Sequence, residues 1–477
     1  MTSTFSGLET AYSGLTAARD ALNVTGQNMT NAGTPGYTRQ RLEQSSAVGA
    51  ATATHFASPQ ARPGQGVQLL GISRITDELA NARLRSAQGQ SGFTGLRANA
   101  LQTLEDGLGE PGSTGLGAQL QAFWSSWQDL SNNPGQNATG AVVLSDAQGL
   151  VAQLSSGYRA VASQWSGLRT QIAGLADQVN QAADQIAALN GSIQQALASG
   201  ASANELMDQR DQLTSTVAQL VGGRVSQKAD GTVDVFVAGN VLVTGQSSNH
   251  LQVTGASALE GAASDPVQLE WQNHPGQAID VDGGQIAASL TLLAPAAADG
   301  SGGVLAQSAE AYNQLATALA SQVNAVHETA ATTDGRTGLD FFALAAGVPA
   351  ALGLSVVPTT RDDIAVAAPG AGPLDGSKAD EISQLGAADG SPDALWAALV
   401  SSVGTASQSA QQQDALAGAS LQSATTAQQS VSSVDTDQEN LDMVTEQSAY
   451  QSAARVMTTV DQLLDTLINH TGLVGIQ

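Results

Sequence analysis

The sequence predicts a mainly α-helical chain with a smaller β domain. Paired terminal helices of coiled-coil type, a bundle of long helices and an outer β-rich domain are stacked along one axis, with the N- and C-terminal segments nested. Three observations predict it. Apolar residues recur at three- and four-residue steps at both ends of the chain, which marks one face of a helix. The same period fills long blocks between them. At Gly222-Gly223 the period drops to two, the period of a strand, continued by "VQLEWQ" and "AIDVDGGQIAASL", and helical spacing returns at Gly303.

At the N-terminus the stripe is Phe5, Leu8, Tyr12, Leu15, Ala18, Leu22 and Met29, opposite Ser3, Ser6, Glu9, Ser13, Thr16, Asp20 and Gln27. At about 1.5 Å per residue such a helix is roughly 40 Å long. Toward the C-terminus Ala453, Val456, Val460, Leu463 and Leu467 repeat the spacing up to Gly472. Each seam is too narrow to stabilise a helix alone, so the two ends are expected to pair. At about 25 cal/mol per Å² their burial barely competes with the entropy of ordering. The ends are therefore expected to be disordered in a free monomer and to fold against neighbouring copies.

The stretch "NMTNAGTPGYTRQR" ends the first helix. After Thr34, Pro35 presets φ for the second position of a β-turn, and Gly36 supplies the positive φ that a type II turn needs at the third. Asn28 and Asn31 are placed to satisfy backbone groups left open where the helix stops. Tyr37 offers an amphipathic ring to a neighbour.

Residues 76–222 then read as helices. Leu79, Leu84, Leu101 and Leu104 mark one, and Leu120, Phe123, Trp124, Trp127 and Leu130 the next. A long run from Val142 to Ala198 carries Ile172, Leu175, Val179, Ile186, Leu189, Ile193 and Leu197, and a further helix spans Ala203 to Val221. Next, "RVSQKADGTVDVFVAGNVLVTG" alternates around an Asp230-Gly231 turn and a second turn at Ala238-Gly239-Asn240. Helix returns from Gly303 to Ala330 through Leu305, Tyr312, Leu315, Leu319 and Val323, and again from Pro392 to Leu473. The order is roughly palindromic, which gives three nested units: 1–75 with 435–477, the terminal helices; 76–222 with 285–330 and 392–434, the bundle; and 223–284 with 331–391, the β-rich domain.

The formal net charge of −25 leaves no room for a phosphate-binding surface of any size, since nucleic-acid affinity rests on counterion release by Lys and Arg. Lys228 and Lys378 are the only lysines. With no cysteine, disulfides and thiolate chemistry are excluded together. The N-terminus lacks a basic n-region and an apolar h-region, and no apolar run is long enough to span a bilayer, so a soluble chain is expected, exported if at all without a cleaved signal.

Catalytic signals are weak. His55, His250, His274, His327 and His470 are scattered, with no HExxH or close His/Asp pairing. "DQRD" at Asp208–Asp211, with Glu205 nearby, reads as a polar knot between elements rather than an acid/base pair. Asp435, Asp437, Glu439 and Glu446 mimic calcium-loop spacing, but Asn440 stands where glycine is required. Thr436 with Glu439 reads instead as a capping box opening a helix. No enzyme, cofactor or metal is expected.

"LNVTGQNMTNAGTPGYTRQR" resembles the N-terminal signature of the flagellar rod, hook and hook-associated axial protein family, and "GQGVQLLGISRITDELANARLR", Gly64 to Arg85, resembles its next element. "NELMDQRDQLTSTVAQLVGG", "GGQIAASL", "ALASQVNAVHETA", "GLDFF" and "VSSVDTDQENLDMVTEQSAYQSAARVMTTVDQLLDTLIN" resemble, in order, the members that join hook to filament. The resemblance implies a structural subunit of the hook-filament junction, with the terminal helices, Phe5 to Met29 and Ala453 to Leu467, paired in the innermost layer of a tubular assembly. It implies flagellar type III export, a ring-like homo-oligomer, and contacts with the hook protein and with the next hook-associated protein on the filament side. It also implies a cytoplasmic export chaperone meeting the segment from Tyr450 to Leu467. Alternatives are another axial subunit, of hook or distal rod, and an unrelated secreted coiled-coil protein.

Overall fold

A computed structural model describes residues 4–47 and 66–470. Phe5 and Leu467 as side chains, and His55, Gly64, His470 as a side chain, Gly472 and Leu473, lie outside the described residues. Helix α1 (Thr4–Asn31) runs into a hairpin of β1 (Gln40–Ser46) and β2 (Val67–Arg74), paired antiparallel from Gln40↔Arg74 to Ser46↔Val67 with a bulge at Glu43/Gln44. The bundle follows as α2 (Glu78–Leu108), α3 (Leu116–Asn132), α4 (Asn137–Ala198, 62 residues) and α5 (Asn204–Val221).

The chain then turns to strands where the period changes. β3 (Arg224–Gln227), β4 (Val233–Val237), β5 (Asn240–Thr244) and β6 (Ser247–Ser248) form a meander, and β7 (Leu251–Thr254), β8 (Gln268–Trp271) and β9 (His274–Ala278) a second sheet. Both predicted turns are present. Gly231 has φ 82°, and the β4–β5 link takes positive φ at Ala238 (47°) and Gly239 (78°), as a two-residue type I′ loop requires.

Next come α6 (Gly284–Leu293), α7 (Val304–His327), β10 (Phe342–Leu344), α8 (Ala350–Gly353), β11 (Leu354–Val356), α9 (Ser377–Ser383), α10 (Pro392–Ser432) and α11 (Thr436–Asp465), the last closing in a π-helical turn at Thr466–His470. The main core cluster runs from Leu104 through Phe123, Trp127, Trp165, Val235, Leu269, Tyr312 and Phe341 to Val403, and a small second one holds Ala98, Leu101 and Ala410. Where α2 crosses α5 the approach is too close for side chains: a Cβ on Gly92 would lie 2.3 Å from the Gln219 carbonyl oxygen.

Several expectations are corrected. Residues 331–391 share no sheet with 223–284: β10 and β11 pair only with each other, and Phe341 and Phe342 turn instead to Phe123 and Trp127 of α3. Leu79 is exposed, because the N-terminal half of α2 buries Ala80, Gly89 and Gly92 at the close crossing. Leu197 is exposed as well, its side chain lying at the rim beside the β3–β4 turn at Gly231, and Asn180 and Asn190 are buried upstream of it. Helix α11 is capped by Asp435, which accepts from the N–H groups of Asp437 and Gln438; the carboxylate of Glu439 is turned away from Thr436 into the interior.

Candidate assembly interface

Helices α1 and α11 lie antiparallel. At one end Asn28 meets Glu439, and at the other a Cβ on Gly7 would sit 4.0 Å from Val460 Cγ2. The faces differ from the predicted stripe. Ala11, Ala17, Ala18, Val24, Thr25 and Asn28 are the buried positions of α1, while Leu8, Leu15 and Leu22 are half-buried and Tyr12 is 59% exposed. On α11, Val460 is half-buried, whereas Val456 (51%) and Leu463 (53%) face solvent and Tyr450 is exposed. Small residues line the seam because two helices approach most closely over alanine. The larger apolar side chains are left outside.

The turn at Thr34–Tyr37 has the predicted geometry. Gly36 has φ 78°, and the Tyr37 N–H donates to the Thr34 carbonyl at 3.2 Å. Asn31 works as expected: its amide donates to Gln27 O at 3.0 Å and its backbone carbonyl accepts from Thr34 N–H. Asn28 does something else. Its Oδ1 accepts from Gln40 N–H (3.0 Å) and from the Tyr37 hydroxyl (2.9 Å), and its Nδ2 donates to Gln40 O (2.9 Å) and Glu439 (3.1 Å). A carboxamide carries one acceptor and one donor edge like a peptide, so Asn28 pairs with the edge of β1 as a strand would.

Glu439, 1% exposed, closes the joint from α11, accepting from Arg39 Nε at 2.6 Å, and Asp442 takes the Arg39 Nη2 at 3.1 Å. The bundle supplies the other side through the first turns of α5. Asp208 accepts the Thr38 N–H (3.1 Å) and Arg74 (2.7 Å), and Asp211 also binds Arg74 (2.9 Å). Glu205 accepts from both Gln27 and Gln40, Asn204 donates to Gln40 and to Ile72 O, and Gln212 donates to Pro35 O. The "DQRD" cluster is thus a knot that ties the turn to the bundle. Arg210 faces the opposite way, buried, donating to Asn190 and to Gly231 O under the β sheet.

Electrostatics follow the packing. Burial, reinforced by Glu205, Asp208 and Glu439, pushes the Tyr37 hydroxyl up to about 12, so it stays a donor to Asn28 at any physiological pH. Burial alone would lower the Arg74 guanidinium, and Asp211 and Asp208 more than reverse it. Burial raises the Asp208 carboxyl against the pull of Arg74 and Thr38.

Arg39, Gln40, Arg74, Asn204 and Glu439 carry no expectation as site residues from sequence; the polarity of "TRQR" beside "NELMDQRD" is the signal that points to them. Among the described residues no group of three or more His, Asp or Glu side chains is placed to hold a metal ion, and no helix is long and apolar enough to cross a membrane.

Family models match in order along the chain, at both of its paired ends and across the long-helix bundle, and they place it in the class of the flagellar axial proteins. The flagellar basal body rod protein model covers residues 8–38, the flagellar hook-associated protein FlgK helical domain residues 101–342, and the basal body rod FlgEFG C-terminal model residues 427–470. The chain belongs to the FlgK family of flagellar hook-associated proteins.

It is 28% identical to flagellar hook-associated protein 1 of Bacillus subtilis over the full length of both chains. It is 30% identical to the protein of that name from Salmonella typhimurium over 71% of this chain, and there it spans 59% of the relative's length. The fold is similar to the flagellar hook junction protein FlgK of Burkholderia pseudomallei, with a TM-score of 0.63 at 17% identity, covering 73% of this chain and all of that one.

Proposed function

We propose that the protein is a structural subunit of the bacterial flagellum that forms the junction between hook and filament, assembling on the hook tip through α1 and α11 after export by the flagellar type III route. The observation that carries this reading is the polar knot. It holds the paired chain ends in one orientation to the bundle while leaving Tyr12, Val456 and Leu463 uncovered for neighbouring copies.

In this reading the copies form a ring, with hook protein on one side and the next hook-associated protein on the other. The assembling residues are Phe5, Leu8, Tyr12, Leu15 and Leu22 with Val456, Val460, Leu463 and Leu467, while Asn28, Asn31, Thr34, Pro35, Gly36 and Tyr37 set the bend. A cytoplasmic chaperone takes the segment from Tyr450 before export. The units 1–75 with 435–477, 76–222 with 285–330 and 392–434, and 223–284 are proposed as layers from the channel outward, with residues 331–391 going with the bundle on which they pack. No catalytic residue is assigned. A deletion strain tests the reading: hooks without filaments, and filament subunit lost to the medium, are expected, and normal filaments would refute it.

A further inference from the structure

His327 ends α7 and is fully enclosed. Its Nδ1 lies 2.6 Å from the Leu339 carbonyl oxygen and must donate, and its Nε2 accepts the Ala365 N–H at 2.9 Å. One neutral ring therefore joins α7 to two separate pieces of the segment that follows it. The ring stands edge-on to Trp127 (6.4 Å, 78°) and Phe341 (5.5 Å, 70°), which leaves it no water to turn to.

A proton on Nε2 would set two N–H donors against each other and leave the buried Ala365 N–H without an acceptor. Burial also disfavours the imidazolium and holds the ring below its ordinary value of 6.5, with the Leu339 carbonyl and Asp340 pulling weakly the other way. Nearby charges are engaged elsewhere. Arg361 donates to the carbonyls of Pro134 and Ile364, Asp363 binds Thr359, Thr360 and Arg336, and Asp340 faces Glu328. Helix α3 presents the uncharged Trp127.

We propose that His327 is an acid-released latch: the neutral ring holds residues 339–367 on the helical bundle, and the protonated ring lets that segment open while the bundle stays folded. Besides the ring, the segment is held by Asn324, which pairs with Phe341 and Phe342, by the Ala351 N–H donating to Asn313, and by the burial of Phe341, Phe342, Leu354 and Ile364. Its own strands β10 and β11 are three residues each and its link to residue 331 is a single bridge, Ala331↔Ala367, and the ring is the tie among these that titrates near neutral pH. The open form binds the proton more tightly than the closed one. The latch is therefore complete above about pH 6.5 and weakens as pH falls toward the buried ring's own value. This inference stands on the ring's contacts and is independent of the flagellar assignment.

Amide exchange of the full chain between about pH 7.5 and 4.5, corrected for intrinsic rates, tests it. Opening at Phe341, Phe342, Ala365 and Ala367 is expected to rise by up to about tenfold per pH unit below 6.5, while Val233 and Val235 in the β sheet do not follow. His327→Gln keeps a donor and an acceptor but cannot titrate, and is expected to flatten the profile. A flat wild-type profile, an equal slope at Val233 and Val235, or a slope that survives in His327→Gln overturns the proposal. Should that variant not fold, the wild-type ring followed by NMR must titrate at the pH where the segment opens; titration without opening, or opening without titration, overturns it equally.

Discussion

Asparagine side chains on helices stand in for strands at several points in this molecule. Asn28 pairs with Gln40, Asn180 with both the N–H and C=O of Leu251, Asn190 with those of Val233, and Asn324 with Phe342. Each carboxamide pairs with a backbone a dozen or more residues away, so none is legible from local pattern. Asn190→Ala should show the size of the effect. It strips Val233, Gly245 and Arg210 of their partner and should cost roughly 2–4 kcal/mol, read as a lower denaturation midpoint together with faster amide exchange in β4. The turn, by contrast, was legible, because proline and glycine act through their own φ. At Gly36 any side chain would be strained by about 1–2 kcal/mol and its Cβ would fall 1.8 Å from Gln212 Nε2, breaking the bond from Gln212 to Pro35 O. Gly36→Val should remain soluble and exportable yet incorporate poorly at the hook tip. Soft-agar motility equal to wild type would count against that role for the turn.

At the scale of elements, hydrophobic period found the long helices of the bundle and the β3–β5 strands, since 3.6- and 2-residue repeats are properties of the chain itself, but it missed the β1–β2 hairpin, read the helix at Gly284–Leu293 as strand, and ran α10 and α11 together. Which face an element buries was less legible. The α1 seam buries Ala11, Ala17 and Ala18 more fully than the larger residues of the predicted stripe, because backbone proximity, not side-chain size, decides a two-helix contact made with few neighbours. Replacing Val456 and Leu463 with Asp therefore tests the exposed face apart from the fold. Both side chains are about half exposed, so the melting temperature of the purified chain should barely move, each change staying within about 0.5 kcal/mol. Cells carrying the double variant should make hooks that shed filament subunit; intact filaments would place the assembling face elsewhere.

Across the whole molecule the apolar core runs from Leu104 to Val403 and, among the described residues, takes in none of α1 or α11, which are joined to it by Arg39, Gln40, Arg74, Asp208 and Glu439. The chain ends should therefore be the least stable layer. On the purified protein at low concentration, amides of residues 5–29 should exchange far ahead of those in α4, and strong protection there would contradict ends that fold in company. By itself the sequence determined most of the long helices, the turn at Pro35-Gly36, the hairpins at Gly231 and Gly239, and the acidic, cysteine-free composition, because these depend on local sterics and on sums over residues. Only the tertiary structure decided that Glu439 reaches Arg39 from the other end of the chain, that "DQRD" divides its charges between the turn and the β sheet, and that residues 331–391 dock on α3 through Phe341 rather than extending the sheets. Those outcomes rest on which distant group satisfies a buried donor or acceptor, and that is settled only when the chain is folded.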